Sequence, residues 1–195
     1  RVLTEPVPGV LTVIGSPPTW NQRLRVATLA SNEAGVAAFH SAAALHRIDG
    51  YAPGPIELLV SSQRHLAIPG LVVHRGPMDE RDIVVVDDIR CTTIARTLCD
   101  IGSVDSEASL RVAFDWAWRH GVSLRWISDT ALRLATNRRP GPRRILQLIE
   151  EADRRRRPTE SALEVGVEQA LASIPGLLRQ FVVTRRDGSF VARVD

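Results

Sequence analysis

The stretch DIVVVDDIRCTTIARTLCDIG, residues 82–102, holds the two patterns on which the fold depends. Its first part, DIVVVDDIR, is a short run of valine and isoleucine bounded by aspartates, which predicts a β-strand. Its second part starts with threonines, which cap helices well, and places Ile94, Leu98 and Ile101 along one face before Gly102. A strand run followed by a capped helix predicts a fold that contains both kinds of element.

The same patterns recur on both sides of this stretch. Short apolar runs bounded by glycine or proline predict strands in GVLTVIG, PIELLVSS and GLVVHRG. Apolar spacing of three or four residues predicts helices in SPPTWNQRLRVATLAS, DSEASLRVAFDWAWRHG, SLRWISDTALRLA and GPRRILQLIEEADR. We expect Ser41 to cap a further helix that ends at Gly50. We expect Ser106 to cap the helix that contains Trp116 and Trp118, and Gly121 to end that helix. Trp116 and Trp118 face different sides of that helix, so at most one of them belongs to the core.

A change of pattern near residue 153 predicts a second domain. The segment DRRRRP interrupts the helical spacing, TESALEVGVEQALASI then predicts a helix capped by Thr159, and the chain ends on a predicted hairpin that turns at Asp187 and Gly188. We therefore predict a first domain over 1–152, a basic linker over 153–158 and the start of a second domain over 159–195. Because the chain begins on Arg1 and ends on a strand, we expect it to be part of a longer protein.

Positive charge is concentrated in one short segment. All 25 basic residues are arginines, and residues 138–157 carry eight of them against three acidic residues, although the whole chain is only +3. A focused patch of this kind attracts polyanions, so it predicts contacts with nucleic-acid phosphates. The alternative is a solvated linker with its arginines in water. The candidate nucleic-acid-binding residues are Arg138, Arg139, Arg143, Arg144, Arg154, Arg155, Arg156 and Arg157.

The sequence lacks the motifs of several common enzyme chemistries. It contains no GxxxxGK[ST] or GxGxxG phosphate loop, no GxSxG nucleophile elbow and no histidine–cysteine spacing typical of zinc. No apolar run approaches the roughly 18–20 residues that span a bilayer. Cys91 and Cys99 are eight residues apart, and we expect them to be unbridged, which favours a cytoplasmic location.

Acidic residues near the end of the chain raise a metal hypothesis. Glu160, Glu164 and Glu168 follow one another at a spacing of four, so they share one helix face, and Asp195 follows the last predicted strand. Mg²⁺ prefers carboxylate oxygens together with water and substrate phosphate, which a helix acid and a strand-end acid brought together would supply. The alternative is a solvated acidic face and an ordinary surface aspartate.

The segment 159–195 resembles the start of the PD-(D/E)XK nuclease-like domain related to very-short-patch-repair endonucleases. The resemblance rests on a Ser-x-x-Glu helix, here Ser161 and Glu164, and on a hairpin that leads into a Val-Asp pair, here Val194 and Asp195. It implies that Asp195 is a metal-binding carboxylate and that Glu164 is the catalytic helix acid, with Mg²⁺ as cofactor. The family pattern continues with a further acidic strand that this sequence does not contain.

The region 9–102 resembles AbiEi-type antitoxins and transcriptional regulators that carry such a nuclease-like domain. The stretches that carry this resemblance are GVLTVIGSPPTWNQRLRVATLAS, FHSAAALHRIDG, GLVVHRG and VVVDDIRCTTIARTLCDIG. In that family a winged helix precedes this region, so residues 1–14 would be a remnant of its wing. Within the matched stretches we expect His40, Arg96 and Asp100 to be structural, with Arg96 and Asp100 paired across one helical turn.

The sequence therefore predicts an α+β protein, with a mixed helical and β first domain followed by a truncated restriction-endonuclease-like α/β domain. The predicted function is that of a DNA-binding transcriptional regulator or antitoxin-like protein with an appended endonuclease-like module. One alternative is a Mg²⁺-dependent DNA endonuclease, with the chain as given inactive. Another is an interaction module that neutralises a cognate toxin protein. The predicted partner is DNA, no membrane partner is expected, and the oligomeric state is left open.

Overall fold

The computed structural model describes residues 2–31, 34–61, 70–135, 139–153, 181–184 and 190–194. These residues form an α+β protein, as predicted. The chain divides into two compact units, Arg1–Glu150 and Glu151–Asp195. Among the described helices, none is both long enough and apolar enough to cross a bilayer.

The first unit combines a hairpin, a five-stranded sheet and six helices among its described residues. The helices are α1 (Trp20–Ala30), α2 (Phe39–Leu45), α3 (Ile94–Ile101), α4 (Glu107–Arg119), α5 (Leu124–Leu134) and α6, which covers 140–153 and so runs past the unit boundary. The strands are β1 (Leu3–Val7), β2 (Val10–Val13), β3 (Gly35–Ala37), β4 (Ile56–Val60), β5 (Leu71–Arg75), β6 (Ile83–Val86) and β7 (Ile89–Thr92). A single 3-10 turn, Glu80–Asp82, leads into β6.

The five-stranded sheet has the order β5-β4-β3-β7-β6 and mixed strand directions. The short strand β3 lies at its centre, antiparallel to β4 and parallel to β7. Residues that alternate along these strands enter different clusters: Ala37 and Leu58 pack with Leu24 of α1, whereas Val36 and Leu59 pack with Phe39. Since neighbouring side chains of a strand point to opposite faces, the sheet is covered on both sides.

The opening stretch folds into a hairpin and a capped helix. The run DIVVVDDIR was predicted as one strand, but it contains a turn: β6 pairs with β7 antiparallel, and Val86 lies opposite Ile89. The two turn residues, Asp87 and Asp88, have φ values of 49° and 60°, which is the left-handed pair that a tight two-residue hairpin needs. Aspartate tolerates this conformation better than most residues, so the turn forms without a glycine.

Most of the predicted helix boundaries are confirmed. The hydroxyl of Thr93 accepts a hydrogen bond from the N–H of Arg96, and the hydroxyl of Ser106 accepts one from the N–H of Ser109. Gly121 has a φ of 76°, as expected for the residue that ends a helix. Trp116 is buried and Trp118 is half-buried, in agreement with their different helix faces. Both cysteines are free and buried, as predicted.

The predicted cap of α2 is wrong. Helix α2 begins at Phe39 after Ala38, which has no side-chain cap, and it ends at Leu45 rather than near Gly50. Ser41 lies inside the helix and is buried, and its hydroxyl accepts a hydrogen bond from the N–H of Glu57 at 2.9 Å. The serine therefore joins α2 to β4, and this tertiary contact takes precedence over its local preference for a cap.

A fully buried arginine joins the sheet to the helices. Arg96 in α3 has no exposed surface; its Nε donates to both carboxylate oxygens of Asp100 at 3.0 and 3.1 Å, and its Nη1 donates to Asp82 at 3.1 Å and to the carbonyl of Pro77 at 3.0 Å. Arg133 of α5 also donates to Asp82 through both of its terminal nitrogens. The predicted pairing of Arg96 with Asp100 is confirmed, and the wider network shows why the residue is structural.

The second unit has a described hairpin. Strand β8 (Phe181–Thr184) pairs antiparallel with β9 (Phe190–Val194), and Phe181 lies opposite Val194. This pairing confirms the hairpin predicted for 175–195, although its Asp187–Gly188 turn lies outside the described residues. The helix predicted over 159–174 and most of the predicted linker lie outside the described residues as well.

We predict that Arg96→Ala lowers the free energy of unfolding by about 3–5 kcal/mol, because it leaves the buried carboxylate of Asp100 without its main partner and removes one of the two arginines that bind Asp82. Urea denaturation followed by tryptophan fluorescence measures this change. The matched control is Arg125→Ala: Arg125 is 91% exposed and lies 4.0 Å from Asp129, so we expect no measurable effect. Equal stability of Arg96→Ala and the wild type would show that the buried network does not hold the fold.

Candidate functional site

The predicted metal and arginine sites are only partly described. Glu164 and Asp195 lie outside the described residues, and so do Arg138, Arg154, Arg155, Arg156 and Arg157. The described part of the chain contains no group of three or more histidine, cysteine, aspartate or glutamate side chains arranged to hold a metal ion. The metal role of Asp195, the catalytic role of Glu164 and the phosphate role of these five arginines therefore stay predictions.

The remaining predicted arginines, Arg139, Arg143 and Arg144, are described and differ in their surroundings. Arg139 donates to the carbonyl of Arg75 at 3.0 Å and lies 3.7 Å from Asp100. Arg144 donates to the carbonyls of Gly102 and Asp105 at 2.6 and 2.8 Å. Arg143 is exposed on α6. The guanidinium groups of Arg139, directly before α6, and of Arg144, within α6, thus bind backbone carbonyls of the first unit. Arg143 is the one of the three that faces solvent.

The structure brings together a second set of polar side chains that spacing along the chain did not reveal. His40 lies between two carboxylates: its Nδ1 is 2.5 Å from Glu57 Oε1, and its Nε2 is 2.7 Å from Asp105 Oδ1. The hydroxyl of Tyr51 donates to Asp105 Oδ2 at 2.5 Å, and His74 Nε2 is 2.7 Å from Glu57 Oε2. We call these five side chains the His40 network.

Five different parts of the fold position the His40 network. His40 is the second residue of α2, and the preceding residue, Phe39, turns the chain with a φ of 51°. Glu57 lies on β4 and His74 on the neighbouring strand β5. The ring of His74 is stacked on that of Phe39, with centroids 3.6 Å apart. Tyr51 and Asp105 come from the loops that follow α2 and α3.

The charges of the network are fixed by its hydrogen bonds. Hydrogen bonds to Asp105 and Glu57 raise the pKa of His40 from 6.5 to about 10, so its ring is an imidazolium at neutral pH. Burial disfavours the ionised form of Glu57, but the hydrogen bonds from His40 and His74 outweigh this and lower the pKa of Glu57 from 4.5 to about 2. Burial and Asp105 raise the pKa of the Tyr51 hydroxyl. The network therefore contains one imidazolium held between two carboxylates.

A surface pocket of about 640 Å³ opens beside the network. Its lining includes His40, Tyr51, Glu57 and Asp105, together with Ser109 and small or apolar residues. The His40 side chain is 41% exposed, and Glu57 and Asp105 are 9% and 14% exposed. A concave site of this size with a few convergent polar groups is typical of ligand binding.

A larger pocket of about 1040 Å³ lies between the β1–β2 hairpin, α1 and the loop around Pro53. Its lining is mostly proline, valine and other uncharged residues, and Arg23 is the charged member of the lining. It holds no set of titratable groups comparable with the His40 network. The smaller pocket is therefore the better candidate for a functional site.

The His40 ring is placed for binding and not for proton abstraction. Both ring nitrogens of His40 are engaged with carboxylates, and a base must have a free lone pair in reach of its proton. The carboxylate oxygens each accept one hydrogen bond from the network and have a second lone pair. The site can thus accept hydrogen bonds from a ligand.

Comparison with known proteins gives no family assignment: no protein-family model and no curated protein sequence matches the chain. The resemblances to AbiEi-type regulators and to very-short-patch-repair endonucleases therefore stay predictions. The ring of His40 forms ion pairs within the fold and also lines the pocket, so its expected structural role stays a prediction. The partners of His40 could not be predicted from the sequence, because Glu57 and Asp105 are 17 and 65 residues away from it.

The raised pKa of His40 predicts a pH-dependent stability. The contribution of His40 is fully present below pH 6.5, its ordinary value, and is lost as the pH rises towards about 10. Glu57 contributes above pH 4.5, and its contribution is lost as the pH falls through about 2. We therefore expect the unfolding temperature to fall between pH 6.5 and 9. Burial raises the pKa of Cys91 and Cys99 above their ordinary value of 9.0, so both thiols add to the fall above about pH 8.

The variant His40→Gln isolates this effect. Glutamine has no proton to lose in this range, so the decline between pH 6.5 and about 8 should disappear in the variant, and the smaller decline due to the cysteines should remain above it. Differential scanning calorimetry across this range is the measurement. A wild-type unfolding temperature that stays constant from pH 6.5 to 9 would contradict the imidazolium assigned to His40.

Proposed function

We propose that this chain belongs to a DNA-directed protein, a DNA-binding transcriptional regulator or antitoxin-like protein with an endonuclease-like module. The observation that carries the proposal is the concentration of eight arginines against three acidic residues in 138–157, in a chain whose total charge is +3. Phosphate contacts of this kind supply most of the affinity of proteins for DNA without reading its sequence.

The surroundings of the described arginines refine this proposal. Because Arg139 and Arg144 already donate to backbone carbonyls, Arg143 is the described member of the set that is exposed and able to reach a phosphate. We infer that Arg143 acts together with Arg138 and Arg154–Arg157, and that Arg139 and Arg144 orient α6. This divides the eight arginines into a phosphate-binding group and an anchoring group.

Binding of duplex DNA tests the proposal. We expect the logarithm of the association constant to fall linearly with the logarithm of salt concentration, with a slope of about −0.9 for each phosphate contact. Arg143→Ala should make the slope less negative by about 1, and alanine at positions 154–157 together should reduce it further. Fluorescence anisotropy with a labelled duplex at several salt concentrations is the measurement.

The control for these variants is Arg125→Ala, which removes an arginine that is 91% exposed on α5, outside the basic segment. It should bind as the wild type does. If Arg125→Ala weakens binding as much as Arg143→Ala, the affinity comes from net charge alone and the proposed surface is wrong. If no duplex binds, the interaction module for a toxin protein becomes the better proposal.

A second candidate function is Mg²⁺-dependent cleavage of DNA, as in very-short-patch-repair enzymes. The observation that favours it is the antiparallel pairing of β8 and β9, since β9 ends at Val194, directly before Asp195. A carboxylate in this position is suited to bind Mg²⁺, which would polarise a phosphodiester and lower the pKa of its bound water. Glu164 would hold a water of the ion.

Plasmid nicking by the protein tests this candidate. We expect cleavage that requires Mg²⁺ and that Asp195→Asn reduces by at least about 100-fold, since removing a metal ligand removes the ion. Glu160→Gln, a change four residues before Glu164, serves as the control and should leave the rate unchanged. Cleavage that persists in Asp195→Asn would exclude the proposed metal site.

A further inference from the structure

The pocket beside the His40 network offers flat rings and small wall residues to a ligand. The rings of His40 and Tyr51 are stacked with their centroids 5.8 Å apart and their planes within 22°. Most of the remaining lining residues are small or apolar: Gly50, Ala52, Gly54, Pro55, Ala108 and Val112. The volume of about 640 Å³ suits a flat ring system together with an attached sugar.

The polar groups of the pocket are mainly acceptors. Both oxygens of Glu57 and both oxygens of Asp105 accept one hydrogen bond from within the network, which leaves further lone pairs on each carboxylate. Both N–H groups of His40 are already used in these bonds. A ligand is therefore favoured when it brings N–H donors to the carboxylates and a flat ring to the His40 and Tyr51 side.

We propose that this pocket binds one unpaired nucleobase that carries an exocyclic amino group. Tyrosine and histidine rings are common stacking platforms for unstacked bases, and aspartate and glutamate accept hydrogen bonds from the amino group of cytosine. An aliphatic amine would satisfy the carboxylates but would leave the ring surfaces unused. The proposal rests on the DNA-directed function proposed above and names the part of the nucleic acid that the pocket takes.

The position of α6 supports this assignment. Arg144 of α6 donates to the backbone carbonyl of Asp105, whose side chain belongs to the pocket. The next residue towards the start of the helix, Arg143, is exposed. A phosphate contact at Arg143 would place a nucleic-acid strand on the helix that is joined to the pocket through Arg144, from which an unpaired base could enter the pocket.

Cytidine and uridine are suitable probes for this site, because cytidine carries an exocyclic amino group and uridine does not. At position 4 cytidine has this two-proton donor and uridine has a carbonyl acceptor, which the carboxylates would repel; at position 3 cytidine has an acceptor nitrogen and uridine has a single N–H donor. We expect cytidine to bind at least about tenfold more tightly than uridine, which corresponds to the loss of one good hydrogen bond. Isothermal titration calorimetry of the chain with each nucleoside is the measurement.

Variants that fill the pocket provide the structural control. Val112 is 47% exposed in the lining, so Val112→Phe should fold while it occupies the space of the base, and we expect it to weaken cytidine binding at least tenfold. Val104→Phe changes a valine that is 52% exposed and outside the lining, and it should bind cytidine as the wild type does. Ala108→Phe is a second filling variant if Val112→Phe does not fold.

The outcomes separate this proposal from the function on which it rests. Equal affinity for the two nucleosides, binding of neither, or unchanged binding in folded Val112→Phe would each overturn the base pocket. If duplex binding with its salt dependence persists in that case, the DNA-directed function stands without the pocket. If cytidine is bound selectively and the duplex is not, the pocket stands and the proposed phosphate surface is wrong.

Discussion

The burial of one guanidinium group, that of Arg96, is the constraint on which the first unit depends. A charged group without exposed surface needs partners, and Arg96 finds them in Asp100 of its own helix and in Asp82 at the start of β6. Arg133 binds the same Asp82, so α5 is tied to this point too. Among the described residues, Arg96 Nη2 is the buried side-chain nitrogen without a hydrogen-bond partner. An unmet donor lowers stability, so the network is better understood as fixing the arrangement of its elements than as adding stability.

Local structure was largely predictable from the sequence, because its causes are local. Thr93 and Ser106 cap helices through bonds to residues three positions on, and Gly121 ends a helix through its own backbone conformation. The two wrong predictions of local structure have other causes: one depends on a contact distant in sequence, and the other on a turn without the usual glycine. Ser41 was misassigned because its hydroxyl bonds to Glu57 on a strand, and the turn at Asp87–Asp88 was missed because it lacks a glycine.

The candidate site was much less predictable, because every bond that defines it crosses the fold. His40 is 65 residues from Asp105, and Tyr51 is 54 residues from it. No spacing rule connects such positions, whereas the pairing of Arg96 with Asp100 follows from one helical turn. The sequence analysis expected His40 to be structural, and the fold places it between two carboxylates. Titratable residues that look isolated in a sequence are thus the ones whose roles depend most on topology.

The Arg96 network and the His40 network lie close to one another in the first unit. His74 is hydrogen-bonded to Glu57 of the His40 network, and the carbonyl of the next residue, Arg75, accepts a hydrogen bond from Arg139. Arg139 leads into α6 and lies near Asp100, which pairs with Arg96, and Arg144 of α6 binds the carbonyl of Asp105. The pocket and the basic helix are therefore connected by two routes through charged or polar contacts. A group that binds the carboxylates of the pocket would therefore act on residues that are in contact with the anchoring arginines.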